Sequence, residues 1–161
     1  ELRFHDEIKN NLDFTGYTKI KLHLIDNYPT VKTSMIINDE EYSGFFGLDS
    51  GADDALTILA PYVKKNDLES KMPKVGSASS KGSDGLVLVS PLVLCPELLF
   101  ANKVLYNVPI TLSTAKEGID ATDKMIGIFG NAFLKKFNTI IDFKNGYVYY
   151  KLNKNLYEKF Y

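Results

Sequence analysis

Asp49, Ser50, Gly51, Ala52 and Asp53 follow directly on the apolar run Phe45-Phe46-Gly47-Leu48. An acid in that position is a carboxylate aimed out of a sheet edge into a tight turn. Ser50 can hydrogen-bond across the turn, Gly51 permits close backbone approach, and Ala52 leaves room beside it. The chemistry on offer is general acid–base work on a water. Taken alone, Asp-Ser-Gly also reads as an ordinary turn after a strand. Other reactive residues form no comparable set. His5 and His23 are too few and too far apart for a nucleophile–base pair, and His23 alternates with Leu22 and Leu24 as a solvent-facing strand residue. Cys95, the single cysteine, excludes an internal disulfide and a Cys-based zinc site and reads as a small buried hydrophobe. Lys81-Gly82 reverses the Gly-Lys order that a phosphate-binding loop needs, and Asp49 with Asp53 and Asp54 lacks the spacing of a calcium loop. No metal and no cofactor is expected.

The elements that must hold this turn are mostly strands. Residues 17–25 alternate polar and apolar at period two, residues 30–37 are rich in β-branched side chains, and residues 42–48 return as a third strand ending at Asp49. Asn27-Tyr28-Pro29 reads as the break between the first two. Residues 53–63 predict one short helix stopped by Pro61. Residues 75–85, with Gly76, Ser79, Ser80 and Gly82, read as a mobile loop or hairpin tip with few buried contacts. Residues 104–112 predict another strand and residues 113–124 a polar loop. Helical spacing occupies residues 129–137. Asn145-Gly146 between residues 139–143 and 147–152 marks a hairpin. Many short strands with one or two short helices predict an all-β barrel or sandwich.

Order and spacing carry a further reading. Asp49-Ser50-Gly51-Ala52 comes first, the glycine- and serine-rich segment second, and Ile128-Phe129-Gly130 third, followed by the helical stretch 132–137 and Ile141-Asp142-Phe143. Over roughly residues 30–152 this resembles the retropepsin-like aspartic proteases, both the retroviral enzymes and their bacterial relatives. The resemblance implies a retropepsin-like barrel lobe spanning residues 1–161, with its core at about 17–152. Asp49 would be the catalytic residue, supported in its loop by Ser50, Gly51, Ala52 and Asp53. Ile128, Phe129 and Gly130 would form a strand crossing under that loop, and Gly76, Ser79, Ser80 and Gly82 would belong to a flap. The sequence departs from the retroviral pattern at Asn131, which stands where an arginine would pair with Asp53, and its flap lacks a Gly-Gly tip.

Peptide hydrolysis of this kind needs two carboxyl groups about 3 Å apart that share one proton. The chain holds one Asp-Ser/Thr-Gly, since Asp84-Gly85 and Asp120-Ala121 lack the strand and the hydroxyl-glycine. A second lobe, from an identical copy or a tandem domain, would therefore complete the dyad. A PDZ module in a longer polypeptide and a periplasmic or secreted setting follow from the resemblance alone. The expected function is aspartic endopeptidase, and the alternative is a silent lobe that binds peptide or serves dimerisation.

Composition agrees with a folded domain and removes other classes. In 161 residues, 45% hydrophobic and 24% charged content is ordinary for one globular unit. Nineteen basic against twenty acidic residues give a net charge of −1, and Arg3 is the sole arginine, so no nucleic-acid partner is expected. Ten Tyr and ten Phe read as core, and Lys64-Lys65 and Lys135-Lys136 as solvated pairs.

Overall fold

The computed structural model describes residues 13–81 and 87–160. The first three strands form a meander: β1 (Thr18–Ile25), β2 (Tyr28–Ile37) and β3 (Glu40–Leu48). Two-residue turns join them, Asp26-Asn27 and Asn38-Asp39, all four residues with positive φ. Asn and Asp tolerate that conformation, and such turns match the twist of the strands they connect. The break between β1 and β2 therefore falls at Asp26-Asn27. Tyr28 and Pro29 belong to β2, opposite Ile25 and Leu24.

Residues 53–63 hold a strand and a helix where the sequence suggests one helix. β4 (Leu56–Ile58) comes first, and α1 (Ala60–Asn66) starts with Pro61 in its first turn. Proline lacks an N–H that a first turn leaves unpaired anyway, so Pro61 opens this helix. A four-residue helix, α2 (Leu68–Lys71), follows.

Residues 74–81 form a strand, β5 (Lys74–Lys81), in register with β6 (Val87–Phe100) from Lys74 opposite Val93 to Lys81 opposite Val87. Gly82, one of the four flap residues expected from sequence, lies outside the described residues. β7 (Lys103–Leu112) returns alongside β6, and a 3-10 turn (Ile119–Ala121) lies within the polar stretch that follows. β8 (Gly127–Phe129) and α3 (Asn131–Leu134) come next. The helix is shorter than residues 132–137 suggest, because Phe137 already opens β9 (Phe137–Asp142), which pairs with β10 (Tyr147–Leu152). Asp142 closes their turn by accepting from the Asn145 backbone and side chain at 2.9 and 2.7 Å.

The strands hydrogen-bond in the order β5-β6-β7-β4-β8-β3-β2-β1-β10-β9, and β6 pairs again with β2. That second pairing closes β2, β3, β8, β4, β7 and β6 into a ring, so none of these six is left as a free edge. The fold is all-β with short helices. Its core is aromatic: Phe129 stacks on Phe133 with centroids 4.5 Å apart, and Phe100 meets Phe129, Phe133, Phe137 and Tyr150 within 5.1 Å. Such pairs add roughly 0.5–1.5 kcal/mol each beyond the burial of their surface.

Two side chains depart from expectation. Lys136 is 1% exposed, with its ammonium donating to the carbonyls of Asn155, Leu156 and Glu158 and lying 4.2 Å from the Phe160 ring. The 3-10 turn Lys154–Tyr157 and the residue after it supply the acceptors that let a charge be buried there. His23 is half-buried, its ring 5.0 Å from that of Phe45 across the strands.

Candidate active site

Asp49 sits one residue past the end of β3, and its placement depends on β8. The three-residue β8 is wholly buried and lies between β3 and β4. It runs parallel to β3, with Gly47 opposite Ile128 and Leu48 opposite Phe129. It runs antiparallel to β4, with Leu56 opposite Phe129 and Ile58 opposite Gly127. The chain therefore leaves β3, turns through residues 49–55, and comes back as β4 with a foreign strand threaded between. Alternate side chains of β8 serve two cores, as the pleat requires. Phe129 joins the main cluster, and Ile128 joins Leu59 and Met125 in a smaller one against which Tyr28 packs.

The threaded strand fastens the turn at four points. Asp49 N donates to Phe129 O at 2.9 Å, and Gly130 N donates to Ala55 O at 3.0 Å. Asn131 N reaches Ala52 O at 2.6 Å, and Ala132 N reaches Asp54 O at 3.1 Å. Each end of the turn is thus tied to residues 129–132. Gly130 has ordinary extended backbone, but a Cβ there would press on the Asp54 carbonyl and lie 3.0 Å from Ala52 O. Only a residue without a side chain lets these main chains meet.

Within the turn, the Gly51 amide donates to Asp49 Oδ1 at 2.8 Å. Asp49 is half-buried, Ser50, Gly51 and Asp53 are exposed, and Ala52 is half-buried. The Ser50 hydroxyl makes no hydrogen bond among the described residues. A second hydroxyl attends the Asp49 carboxylate instead. Tyr28, at the head of β2, lays its ring against Gly47, where a Cβ would come within 2.6 Å of the ring edge. Burial, a hydrogen bond to Asp49, and the charges of Asp49 and Asp120 all hold the Tyr28 phenol well above its usual value.

Asp54 lies deeper in the same turn and accepts from the Thr57 hydroxyl. Burial raises its carboxyl above the ordinary range. The Thr57 bond opposes the shift, while the charges of Asp120 and Asp49 add to it. Asp120, in the 3-10 turn after β7, accepts from the Ser113 hydroxyl at 3.2 Å. Tyr28 carries no site signal in the sequence, and Asp54 and Asp120 fail there as a calcium ligand and as a second Asp-Ser/Thr-Gly. The Asp53-Asp54 repeat was the available signal, but nothing in sequence spacing brings β2 or the 3-10 turn to Asp49.

The structure brings Asp49 to Asp53 together with Ile128, Phe129 and Gly130. Gly76, Ser79 and Ser80 lie apart from that cluster in the ladder, on the edge strand β5 opposite Leu92, Val89 and Leu88. Asn131 is exposed and meets the turn through its backbone amide. Among the described residues, no three His, Cys, Asp or Glu side chains are grouped to hold a metal ion, and no helix is long and apolar enough to cross a membrane. No family model matches the chain, and no curated protein matches it.

Proposed function

We propose that this chain is one lobe of a retropepsin-like aspartic endopeptidase, with Asp49 as its catalytic carboxylate. The observation that carries the reading is the strand threaded between the two arms of the Asp49 turn, which fixes a half-buried carboxylate at a sheet end while its tip stays open. A carboxylate held by the Gly51 amide, with the Tyr28 phenol beside it, can take a proton from water. It cannot also present a proton to the substrate carbonyl. A second lobe supplies that carboxyl, and the pair titrates in coupled steps.

In this reading, Gly51 positions Asp49 through its amide, Ala52 and Gly130 shape the floor, and the exposed Asp53 is available to substrate backbone. Ser50 is exposed and makes no hydrogen bond among the described residues, so its hydroxyl would be available to a second lobe. Peptide substrate would bind between the lobes, against the open tip of the Asp49 turn.

The test follows cleavage of a mixed peptide library by the full-length protein across a dilution series. If two copies of this lobe make the dyad, specific activity falls on dilution in step with the loss of dimer measured by sedimentation. If a tandem lobe completes it, activity per molecule is independent of concentration. A second reading, the silent peptide-binding lobe, draws on Asn131, which offers the turn only a backbone bond where an ion pair is expected of the resembled enzymes. Absence of both cleavage and binding of a transition-state-mimicking aspartic-protease inhibitor would select that reading.

A further inference from the structure

β2 changes partners partway along its length. It pairs with β1 as far as Val31 and with β6 from Ser34 onward. Lys32 and Thr33 fall between the two ladders and have no strand partner on that edge. β1 switches as well, pairing with β10 through Lys21 and with β2 from Leu22. Where the strands part, the β6–β7 turn fills in with Ala101 and Asn102, both at positive φ, and the Thr33 hydroxyl donates to Leu99 O. The result is an open trough of about 480 Å³, within the range of small-ligand sites. It shares no residue with the Asp49 turn.

Its lining is one-sided in charge. Lys19, Lys21, Lys32 and Lys103 line it, and no acidic residue does so among the described residues. A smaller cavity of about 220 Å³ adjoins it through Ala101 and Lys103 and adds Lys151, again without an acid. The chain as a whole is balanced, with nineteen basic and twenty acidic residues, and some surface lysines pair with acids, as Lys71 does with Glu40 and Lys124 with Asp26. Lys19 rests over the Tyr147 ring at 3.6 Å, and Lys151 donates to Thr15 O at 3.0 Å. The ammonium groups of Lys21, Lys32 and Lys103 make no hydrogen bond, ion pair or ring contact among the described residues. Like charges gathered around one concavity repel unless an anion sits between them.

A second observation comes from the adjoining cavity. Tyr150 lines the smaller cavity, is 1% exposed, and its buried hydroxyl has no hydrogen-bond partner. A buried polar atom left unpaired is costly and marks a place where a partner belongs.

We propose that this trough binds a phosphate-bearing ligand. A phosphate group presents three acceptor oxygens and up to two charges, which suits several ammonium point charges carried by different strands around one concavity. No arginine lines it among the described residues to select a planar carboxylate. The apolar side of the trough, Ile20, Leu99 and Val104, would carry the remainder of the molecule.

The experiment titrates the protein with inorganic pyrophosphate and follows backbone and lysine side-chain resonances by NMR. Saturable shifts confined to residues 18–21, 32–34, 99–104 and 150–151 are expected. The Lys32→Gln/Lys103→Gln variant should bind roughly tenfold more weakly, as loss of charge-assisted bonds implies. The Lys64→Gln/Lys65→Gln variant should stay within about twofold, since both sites lie on α1, away from the trough. Unchanged melting temperatures keep a folding defect from mimicking the loss. A parallel arm sediments the protein with phosphatidylcholine vesicles with and without phosphatidic acid. Co-sedimentation only with phosphatidic acid would assign a lipid headgroup, and pyrophosphate binding without it would assign a soluble phosphate ester. Unsaturable shifts, shifts spread over all lysines, or equal weakening in both variants would overturn the proposal.

Discussion

Gly130→Ala tests whether the threaded strand is as tightly enclosed as its geometry implies. The backbone at Gly130 (φ −92°, ψ 179°) suits any residue, so the substitution adds no dihedral strain. The added methyl meets the Asp54 carbonyl, Asp54 Oδ1 at 2.5 Å, and Ala52 O at 3.0 Å. Two of these are main-chain atoms of the turn itself and cannot swing aside. Overpacking of this kind costs about 1–3 kcal/mol. Relief requires moving residues 52–54 away from 130–132, which weakens the Asn131 N to Ala52 O and Ala132 N to Asp54 O bonds at roughly 0.5–1.5 kcal/mol each. The expected loss is about 3 kcal/mol, a fall in melting temperature of roughly 6–12 °C for a domain of this size. Gly76→Ala is the control. Its nearest neighbour would be Leu92 Cδ2 at 3.7 Å, an ordinary contact, so its stability should stay within about 0.5 kcal/mol of the parent. Urea unfolding followed by tyrosine fluorescence reads both variants. A Gly130→Ala loss below about 1 kcal/mol, or one matched by Gly76→Ala, would show that the turn does not depend on this close approach.

Asp54 has a raised carboxyl, so the folded state holds its proton after the unfolded chain has released it. Its contribution is full below the usual carboxylate range and declines as pH rises through that range to the folded value. Asp54→Asn keeps an acceptor for Thr57 and should flatten that decline in stability measured across mildly acidic pH. Cys95 is fully buried and its thiol is pushed up to about 12 by burial, so at pH 8 a thiol reagent should label it only as fast as the protein opens, a rate that urea accelerates. Lys136→Met removes the donor from three carbonyls of residues 155, 156 and 158 and should cost roughly 2–3 kcal/mol. Limited proteolysis should then cut the variant near residues 154–158 faster than the parent.

The strands were legible because their patterns are local. Alternation at Lys19-Ile20-Lys21-Leu22 and the Asn145-Gly146 turn need no tertiary knowledge, and β1, β9 and β10 lie where they point. The stretch 53–63 misled because Pro61 serves equally as a stop or a start, and only the close pairing of β4 with β8 decides which. Phe137 continued a helical spacing in sequence, yet β9 needs it opposite Leu152. The Asp49 turn was visible as residue types. Tyr28 and Asp120 were not, since long-range register alone brings them near. Lys136 looked solvated because the carbonyls that hold it come from about twenty residues further along the chain.

The most direct measurement is cleavage of a peptide library by the full-length protein, wild type against Asp49→Asn. The asparagine keeps the size of the side chain and an acceptor for the Gly51 amide while removing the ionisable group. We expect wild type to cleave peptides with an activity that falls on both sides of a mildly acidic optimum. The Asp49→Asn protein should retain its melting temperature and cleave nothing. Undiminished cleavage by the Asp49→Asn protein would contradict the assignment of Asp49 as the catalytic carboxylate.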